Sequence, residues 1–313
     1  MATVLVLSYP EDETARMVIH HLRSHPVRVA SIDTADFPLR MEFSGTPGNS
    51  RLGTLRTDTE TVDLDDVVGV LYRRPAQFQT PPGMMDEHRV FARVEARHGF
   101  GGVLTCVDAR WVNHPFAISH SNFKPQQLQV AATVDLSVPS TLITNSPEQA
   151  QKFAGEIGGP IVYKAFEPSN LPDEKVIFTT VVDPEKLDDP AIRLTAHLFQ
   201  EKIPKEFDAR ITMIGNQCFG VAIHPESPVA AIDFRADYDA VRYTPLALPA
   251  DLPRRLRAYL DWFGLAFGAF DFAVTADGKY YFLECNPNGQ WGWLQDETGL
   301  PMAEAFADYL AEG

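Results

Sequence analysis

The spacing of apolar residues predicts a mixed α/β chain that opens with a β-α-β unit. Val4 to Leu7 is a continuous apolar run typical of a buried strand, and residues 27–32 form a second one. Between them, residues 11–24 have the acidic start and the following proline that favour a helix. Residues 41–64 alternate apolar and polar positions around a glycine-containing loop, which predicts a hairpin or meander, and the apolar run 67–72 predicts another buried strand.

The middle and the end of the chain continue this mixture of helix and strand patterns. The glycine cluster at 99–102 lacks the spacing and the following helix of a dinucleotide site, so we interpret it as a plain loop. Apolar runs on both sides of Gly215 and Asn216 predict a hairpin. Further strands are predicted at 161–163, 176–182 and 196–203, and helices at 87–98, 123–133, 147–157, 253–263 and 302–310.

The most informative pattern is a second predicted hairpin within residues 267–293, with a turn at 276–278. Asp271 lies between two phenylalanines in its first strand, and Glu284 and Asn286 follow its second strand, two residues apart on one face. A bare carboxylate is costly in such an apolar run, and oxygen side chains without Cys or His suit Mg²⁺. The alternative is a hairpin whose acidic groups are simply solvated.

Composition excludes several classes of protein. The chain has 313 residues, of which 45% are hydrophobic and 22% charged, as in soluble proteins of two or three domains. The net charge of −15 argues against a nucleic-acid partner, because no basic stripe is present to release counterions. No apolar run is as long as a membrane span, and three separated cysteines form neither a disulfide framework nor a zinc pattern. We therefore expect a cytoplasmic protein with no membrane or nucleic-acid partner.

Two sequence motifs carry a resemblance to a known family. The ECNPNGQW segment at 284–291, preceded by Asp271, resembles the metal-binding end of ATP-grasp ligases. Its tail is most similar to the graspetide (microviridin-type) synthetases, which cyclise ribosomal peptides. These enzymes carry a similar Tyr-Arg-Arg-Pro at 72–75, where Arg73 or Arg74 is either a substrate residue or part of a solvated strand end.

The resemblance implies an ATP-grasp fold of the α/β (α+β) class in three parts. These are an α/β N-terminal domain at 1–115, a central lid-bearing domain at 116–195, and a C-terminal domain with a mixed sheet and the metal residues at 196–313.

The resemblance also implies which residues bind ATP. Lys124 and Lys164 match the two nucleotide lysines of ATP-grasp enzymes in order and separation, and Glu206 falls where the family places its ribose-binding acid. A solvated loop acid is the alternative for Glu206. Residues 165–182 contain no glycine, unlike the glycine-rich lid of many members. The resemblance therefore does not indicate which lid residues contact the phosphates. Four consecutive residues resemble the hinge strand whose backbone binds adenine in this family: Gln200, Glu201, Lys202 and Ile203.

On the substrate side, Asp208 and Arg210 form a D-x-R motif similar to that of peptide-modifying ATP-grasp enzymes, and Asp233 and Arg235 repeat it. The resemblance implies that Asp208, Arg210 and Arg235 act beside the transferred phosphate. We expect Asp208 to hold the Arg210 guanidinium, whose planar fork suits a substrate carboxylate. The alternative for each arginine is a cross-strand ion pair.

The implied function is an ATP-dependent macrocyclase that uses two Mg²⁺ ions, forms an acyl phosphate, and links Asp or Glu carboxylates to Ser, Thr or Lys side chains of a precursor peptide as ω-esters or ω-amides. The same resemblance implies a homodimer that recognises the leader of the peptide. A ligase that adds amino acids to a carboxyl terminus shares these motifs and is one alternative. A nucleotide-binding protein without catalysis is another.

Overall fold

A computed structural model describes residues 1–48, 51–166 and 177–312. The first part of the chain forms a parallel sheet in the order β2-β1-β6-β7 and a small antiparallel sheet in the order β3-β4-β5. Its elements are β1 (Thr3–Leu7), α1 (Glu13–Leu22), β2 (Arg28–Ile32), β3 (Met41–Gly45), β4 (Gly53–Thr57), β5 (Thr61–Asp63), β6 (Val67–Tyr72), α2 (Asp86–His98), α3 (Phe100–Leu104) and β7 (Arg110–Val112). The β-α-β opening, the meander and the strand at 67–72 are therefore confirmed.

The predicted plain loop at 99–102 is wrong, because most of it lies in α3. Phe100, Val103 and Leu104 are buried in the core of the N-terminal sheet, together with residues such as Leu5 and Val70. Burying these three apolar side chains on one short turn outweighs the low helix propensity of the glycines between them.

The central sheet has the order β10-β9-β11-β8. It includes β11, which lies within the range predicted for the C-terminal domain, 196–313. Helix α4 was not predicted, and residues 167–176 of the predicted lid and of its following strand lie outside the described residues. The elements are α4 (Pro115–Ser121), α5 (Lys124–Thr133), β8 (Thr141–Thr144), α6 (Pro147–Ile157), β9 (Ile161–Lys164), β10 (Thr180–Val181) and β11 (His197–Glu201).

The last part of the chain is an antiparallel sheet in the order β14-β13-β12-β15-β16. One face packs against α5 and α7, and the other packs against α8, α9 and the N-terminal sheet. The elements are β12 (Lys205–Ile214), β13 (Gln217–Pro225), β14 (Val241–Pro245), α7 (Leu252–Phe263), β15 (Phe267–Thr275), β16 (Tyr280–Asn286), α8 (Gly292–Thr298) and α9 (Met302–Ala311). No helix in the described ranges is long and apolar enough to cross a membrane.

Asn113 joins the N-terminal sheet to this last sheet. The residue is 1% exposed, and its side chain donates to the carbonyl oxygens of Phe267 at 2.7 Å and Pro287 at 2.6 Å. The same side chain accepts from the backbone nitrogens of Ala266 at 2.8 Å and Phe267 at 3.0 Å. One buried amide therefore satisfies four backbone groups around the start of β15 and the end of β16.

We predict that Asn113→Ala destabilises the protein by on the order of 3–5 kcal/mol, because each buried polar group that loses its partner costs about 1–3 kcal/mol. Chemical unfolding followed by tryptophan fluorescence measures the change. Asn145→Ala, at an exposed position, is the matched control and should leave the midpoint unchanged. Equal midpoints for the two variants would contradict the assigned role of Asn113.

Candidate active site

The predicted site residues converge on one cavity between the central sheet and the C-terminal sheet. Arg210 adjoins this cavity through its contact with Asp271, whereas Glu206 is exposed and does not line it. The other predicted residues all line it: Lys124, Lys164, Gln200, Glu201, Lys202, Ile203, Asp208, Arg235, Asp271, Glu284 and Asn286.

A β-bulge turns the three predicted metal-binding residues toward this cavity. Asp271 pairs with Glu284, whereas the next residue, Phe272, pairs with Phe282, so Leu283 is an extra residue on β16. The predicted end of the second strand before Glu284 is therefore wrong, because β16 continues through Asn286. The extra residue lets Phe282 face the apolar core while Glu284 faces the cavity, as bulges beside functional sites commonly do.

Asp271 is paired with Arg210 on the neighbouring strand. The two residues are direct cross-strand partners, and Arg210 Nη1 lies 2.8 Å from Asp271 Oδ1 and 2.7 Å from Oδ2. The side chains are 11% and 8% exposed, and Arg210 also lies over the Trp293 ring at 5.9 Å. Burial raises the pKa of Asp271, and the Arg210 charge counteracts this effect.

The expectation that Asp208 holds Arg210 is wrong. Asp208 instead accepts from Lys205 Nζ at 2.6 Å, and Arg210 pairs with Asp271. Asp208 and Arg210 are two residues apart on one strand, so their side chains lie side by side on the same face. The partner of Arg210 is instead the residue directly opposite on the neighbouring strand, Asp271. Burial raises the pKa of Asp208 to about 6, although Lys205 opposes this shift.

Glu284 lies among cations. Lys124 Nζ is 3.3 Å from its Oε2, and Arg235 Nη1 is 3.6 Å from its Oε1. Burial opposes ionisation of Glu284, but Lys124, Arg235 and Lys164 outweigh it and lower its pKa to about 2. The carboxylate is therefore ionised at neutral pH and holds cationic side chains at the cavity wall.

The remaining charged groups extend this network. The Arg235 side chain makes two hydrogen bonds to Asp233, at 2.9 and 2.8 Å. Asp233 also accepts from the backbone nitrogens of Arg235 at 3.2 Å and Thr179 at 3.1 Å. Burial works against ionisation of Asp233, but the hydrogen bonds from Arg235 outweigh it and lower the pKa of this carboxyl. Burial, with the Lys124 charge, lowers the pKa of Lys164 to about 8, although Glu284 acts in the opposite direction.

Asp233 and Lys205 were missed as site residues by sequence reasoning. The D-x-R repeat at 233–235 was a usable signal for Asp233, whereas nothing in the sequence around Lys205 distinguishes it from a surface lysine.

The charges around the cavity sum to a small positive value. Six cations face five carboxylates, which leaves a formal net charge of +1, suited to a phosphorylated ligand that brings metal ions with it. The cations are Lys124, Lys164, Lys202, Lys205, Arg210 and Arg235, and the carboxylates are Glu201, Asp208, Asp233, Asp271 and Glu284.

The hinge segment at the end of β11 offers backbone groups to the cavity. The nitrogen of Lys202 donates to the Pro160 oxygen at 3.0 Å, whereas the Ile203 nitrogen finds no backbone acceptor among the described residues. The Gln200 side chain donates to Thr141 Oγ1 at 2.9 Å, so its amide is already engaged. An unengaged N–H on an apolar cavity wall is a fitting donor for the edge of a purine ring.

The predicted metal residues fit a hard cation by their chemistry. Asp271 and Glu284 supply carboxylate oxygens, and the Asn286 amide lies 3.4 Å from Asp271 Oδ2. Within 1–48, 51–166 and 177–312, no group of three His, Cys, Asp or Glu side chains is arranged to hold a metal ion. The set here has two carboxylates and one amide, which suits Mg²⁺ completed by phosphate oxygens.

Two antiparallel sheets that enclose a lysine-lined and carboxylate-lined cavity define the ATP-grasp class of ligases, and the comparisons with known proteins agree. The family described as "MvdD pre-ATP grasp domain" matches residues 3–119. A comparison with curated protein sequences finds no match.

Solved structures match the whole chain. The macrocyclase MdnC of Microcystis aeruginosa MRC, bound with precursor peptide MdnA, is 31% identical over 99% of this chain and 100% of its own, with a TM-score of 0.87. A RiPP-associated ATP-grasp ligase of Chryseobacterium gregarium, in complex with ADP and a leader and core peptide, is 27% identical over 100% and 97%, with a TM-score of 0.92. The macrocyclase MdnB of Microcystis aeruginosa MRC is 27% identical over the full length of both chains, with a TM-score of 0.81. The chain belongs to the graspetide macrocyclase family of ATP-grasp ligases, which form ADP while joining a carboxylate to an amine or alcohol.

Gln127 fixes the strand that carries Glu284 and Asn286. This buried glutamine on α5 accepts from the Cys285 nitrogen at 2.9 Å and donates to the Cys285 oxygen at 3.0 Å. It also donates to the Ser121 oxygen at 2.7 Å. The glutamine therefore pairs with edge strand β16 as a neighbouring strand would, between the two predicted metal-binding residues.

We predict that Gln127→Met weakens binding of Mg-ADP by roughly 10- to 100-fold, the usual effect of removing a group that orients metal-binding residues. Methionine preserves the volume of the side chain but pairs with neither backbone group. Isothermal titration calorimetry measures the affinity, and Gln129→Met, exposed on the same helix, is the matched control. Equal affinities of the two variants would show that Gln127 does not orient the binding residues.

Proposed function

We propose that this enzyme closes rings in a ribosomally made precursor peptide. It joins Asp or Glu side-chain carboxylates to Ser, Thr or Lys side chains as ω-esters or ω-amides. The observation that carries this proposal is the end-to-end similarity to MdnC, a macrocyclase bound with its precursor peptide, at 31% identity. The similar Chryseobacterium gregarium ligase was solved with ADP and with a leader and core peptide, which supports a peptide substrate with a separate leader.

The proposed chemistry has two steps. A side-chain carboxylate of the peptide attacks the γ-phosphorus of ATP, the bond to the bridging oxygen breaks, and ADP leaves. The hydroxyl or amine of a second side chain then attacks the carbonyl carbon of the acyl phosphate and loses its proton, while inorganic phosphate leaves. Each ring therefore removes the elements of one water molecule from the peptide.

The charged cavity residues divide between these two reactants. We assign Lys124, Lys164 and Arg235 to the phosphates, because all three line the cavity. Lys124 and Arg235 contact Glu284 there and can exchange this carboxylate for a phosphate group. We assign Arg210 to the reacting carboxylate, since Asp271 contacts only Nη1 of its fork. Asp208 lies beside the transferred phosphate in this proposal, and Lys205 neutralises it.

The remaining nucleotide contacts follow the same resemblance. The segment 200–203 binds adenine through its backbone, and Glu206 binds ribose only if it turns toward the cavity from its exposed position. Asp271, Glu284 and Asn286 would hold two Mg²⁺ ions, which neutralise phosphate charge during transfer. The proposal includes a homodimer, as the family resemblance implies, and a cytoplasmic location, as the composition of the sequence indicates.

We predict that the enzyme, incubated with Mg-ATP and its cognate precursor peptide, yields a product lighter by one water per ring, with ADP and phosphate formed in equal amounts. Mass spectrometry and nucleotide chromatography measure these products. A peptide without Asp and Glu in its core is the control and should stay unchanged. AMP and pyrophosphate would exclude an acyl phosphate, and added amino-acid masses would favour terminal ligation.

We predict that Glu284→Gln folds but loses at least about 100-fold in turnover, because the phosphates and their cations lose a preorganised charge. Glu284 is a cleaner probe than Asp271, whose removal would leave Arg210 buried without its partner. Turnover and the thermal midpoint are measured together, and Glu297→Gln, on the exposed side of α8, is the matched control. Wild-type turnover in Glu284→Gln would refute the metal assignment.

A further inference from the structure

Arg73 is a buried arginine in the N-terminal sheet that no step above uses. It follows β6 directly and is 2% exposed, so the alternative of a solvated strand end is wrong. Its Nε lies 3.5 Å from Asp12 Oδ2, and that carboxylate is equally buried. Burial lowers the pKa of Arg73, and Asp12 opposes this effect. Burying a charged group is costly in free energy unless an opposite charge and hydrogen bonds compensate for its lost hydration.

The two arms of the guanidinium hold one short loop, residues 288–290, which follows β16. Arg73 Nη2 donates to Gln290 Oε1 at 2.8 Å, and Nη1 donates to the Gly289 oxygen at 3.2 Å. In return the Asn288 side-chain amide donates to the Arg73 carbonyl oxygen. Thr14 on α1 supports the same Gln290 side chain with a hydrogen bond of 2.9 Å. The N-terminal unit therefore grips this loop from one side.

The opposite side of the loop touches Arg210. Arg210 Nη2 donates to the Gln290 carbonyl oxygen at 3.2 Å. A Cβ atom at Gly289 would lie 2.9 Å from that same Nη2 and 2.8 Å from Ala269 Cβ, so no larger residue fits without a shift. The loop is thus a spacer with Arg73 on one side and the substrate-side arginine on the other.

We propose that Arg73 is a positioning residue for Arg210. Through the loop 288–290, Arg73 holds the Arg210 guanidinium in the position where it meets the reacting carboxylate. This inference rests on the proposed function, in which Arg210 meets the substrate. Arg73 contacts neither nucleotide nor peptide in this role. It fixes the Gln290 carbonyl oxygen, and that oxygen orients the arm of Arg210 that Asp271 leaves free.

The experiment compares this role with a purely structural one by a double-mutant cycle in the full-length enzyme. Arg73→Lys keeps a charge beside Asp12 but loses the two-armed grip on the loop. Gln290→Ala breaks the same link and leaves the Arg73–Asp12 pair intact. Each change is made in the wild type and in Arg210→Lys, with exposed Arg93→Lys as the matched control. The substrates are Mg-ATP and the precursor peptide of the product assay.

We expect Arg73→Lys and Gln290→Ala each to lower kcat for ring formation roughly 10- to 100-fold, as small displacements of a reacting group do. Affinity for Mg-ADP, measured by calorimetry, should change by less than about twofold, because the loop does not line the nucleotide cavity. In the Arg210→Lys background, the same two changes should lower kcat by no more than about twofold, since the residue through which they act is already altered.

Three results would overturn the inference. Full additivity of the losses in the two backgrounds would mean that Arg73 acts through stability and not through Arg210. A parallel fall in Mg-ADP affinity would place the loop in the nucleotide site. Unchanged kcat in Gln290→Ala would show that the loop does not transmit the position of Arg73. A wild-type enzyme that forms no ring would refute the proposed function itself, and this inference with it.

Discussion

The buried ion pair between Arg210 and Asp271 is the interaction on which the geometry of the candidate active site depends. A carboxylate whose side chain is 11% exposed on an apolar strand is tolerable only if a cation lies within hydrogen-bond distance. The antiparallel register supplies that cation directly opposite, on β12. The apolar half of the same sheet face, which includes Phe267 and Ala269, packs against the N-terminal unit. The pair therefore lies where a common core ends and the cavity begins.

The same principle extends to the whole cavity wall, where side chains of opposite charge neutralise one another. Lys124 and Arg235 contact Glu284, and Lys205 contacts Asp208. Such pairs hold charged groups at the cavity, so in the proposed function little reorganisation is needed when phosphate and metal ions replace the side-chain partners. The near-balance of charge also offsets part of the desolvation cost of burying many ionic groups in one region.

The sequence was sufficient for the hairpin within 267–293, because two apolar runs joined by a glycine-containing turn specify paired strands locally. It was also sufficient for Lys164, since a lysine that ends an apolar strand must point somewhere specific. It was insufficient for the partner of Arg210, because the register that places Asp271 opposite this arginine relates residues far apart in the chain. Glu206 lies at an irregularity between Lys205 and Phe207 in the pairing of β12 with β15, and its side chain is exposed there. No local sequence pattern predicts this irregularity.

The cores of the protein separate the cavity residues into groups that pack in different cores. The N-terminal and C-terminal units share one apolar core, whereas the central sheet has its own small core around Ile161 and Phe199. Lys124 begins α5, which packs on the C-terminal core, but Lys164 ends a central strand. Lys124 Nζ also donates a hydrogen bond of 2.7 Å to the carbonyl oxygen of Ala165, the residue after Lys164. A nucleotide bound by both lysines would therefore join two separately packed bodies, and its phosphates would fix the distance between Lys164 and Asp271.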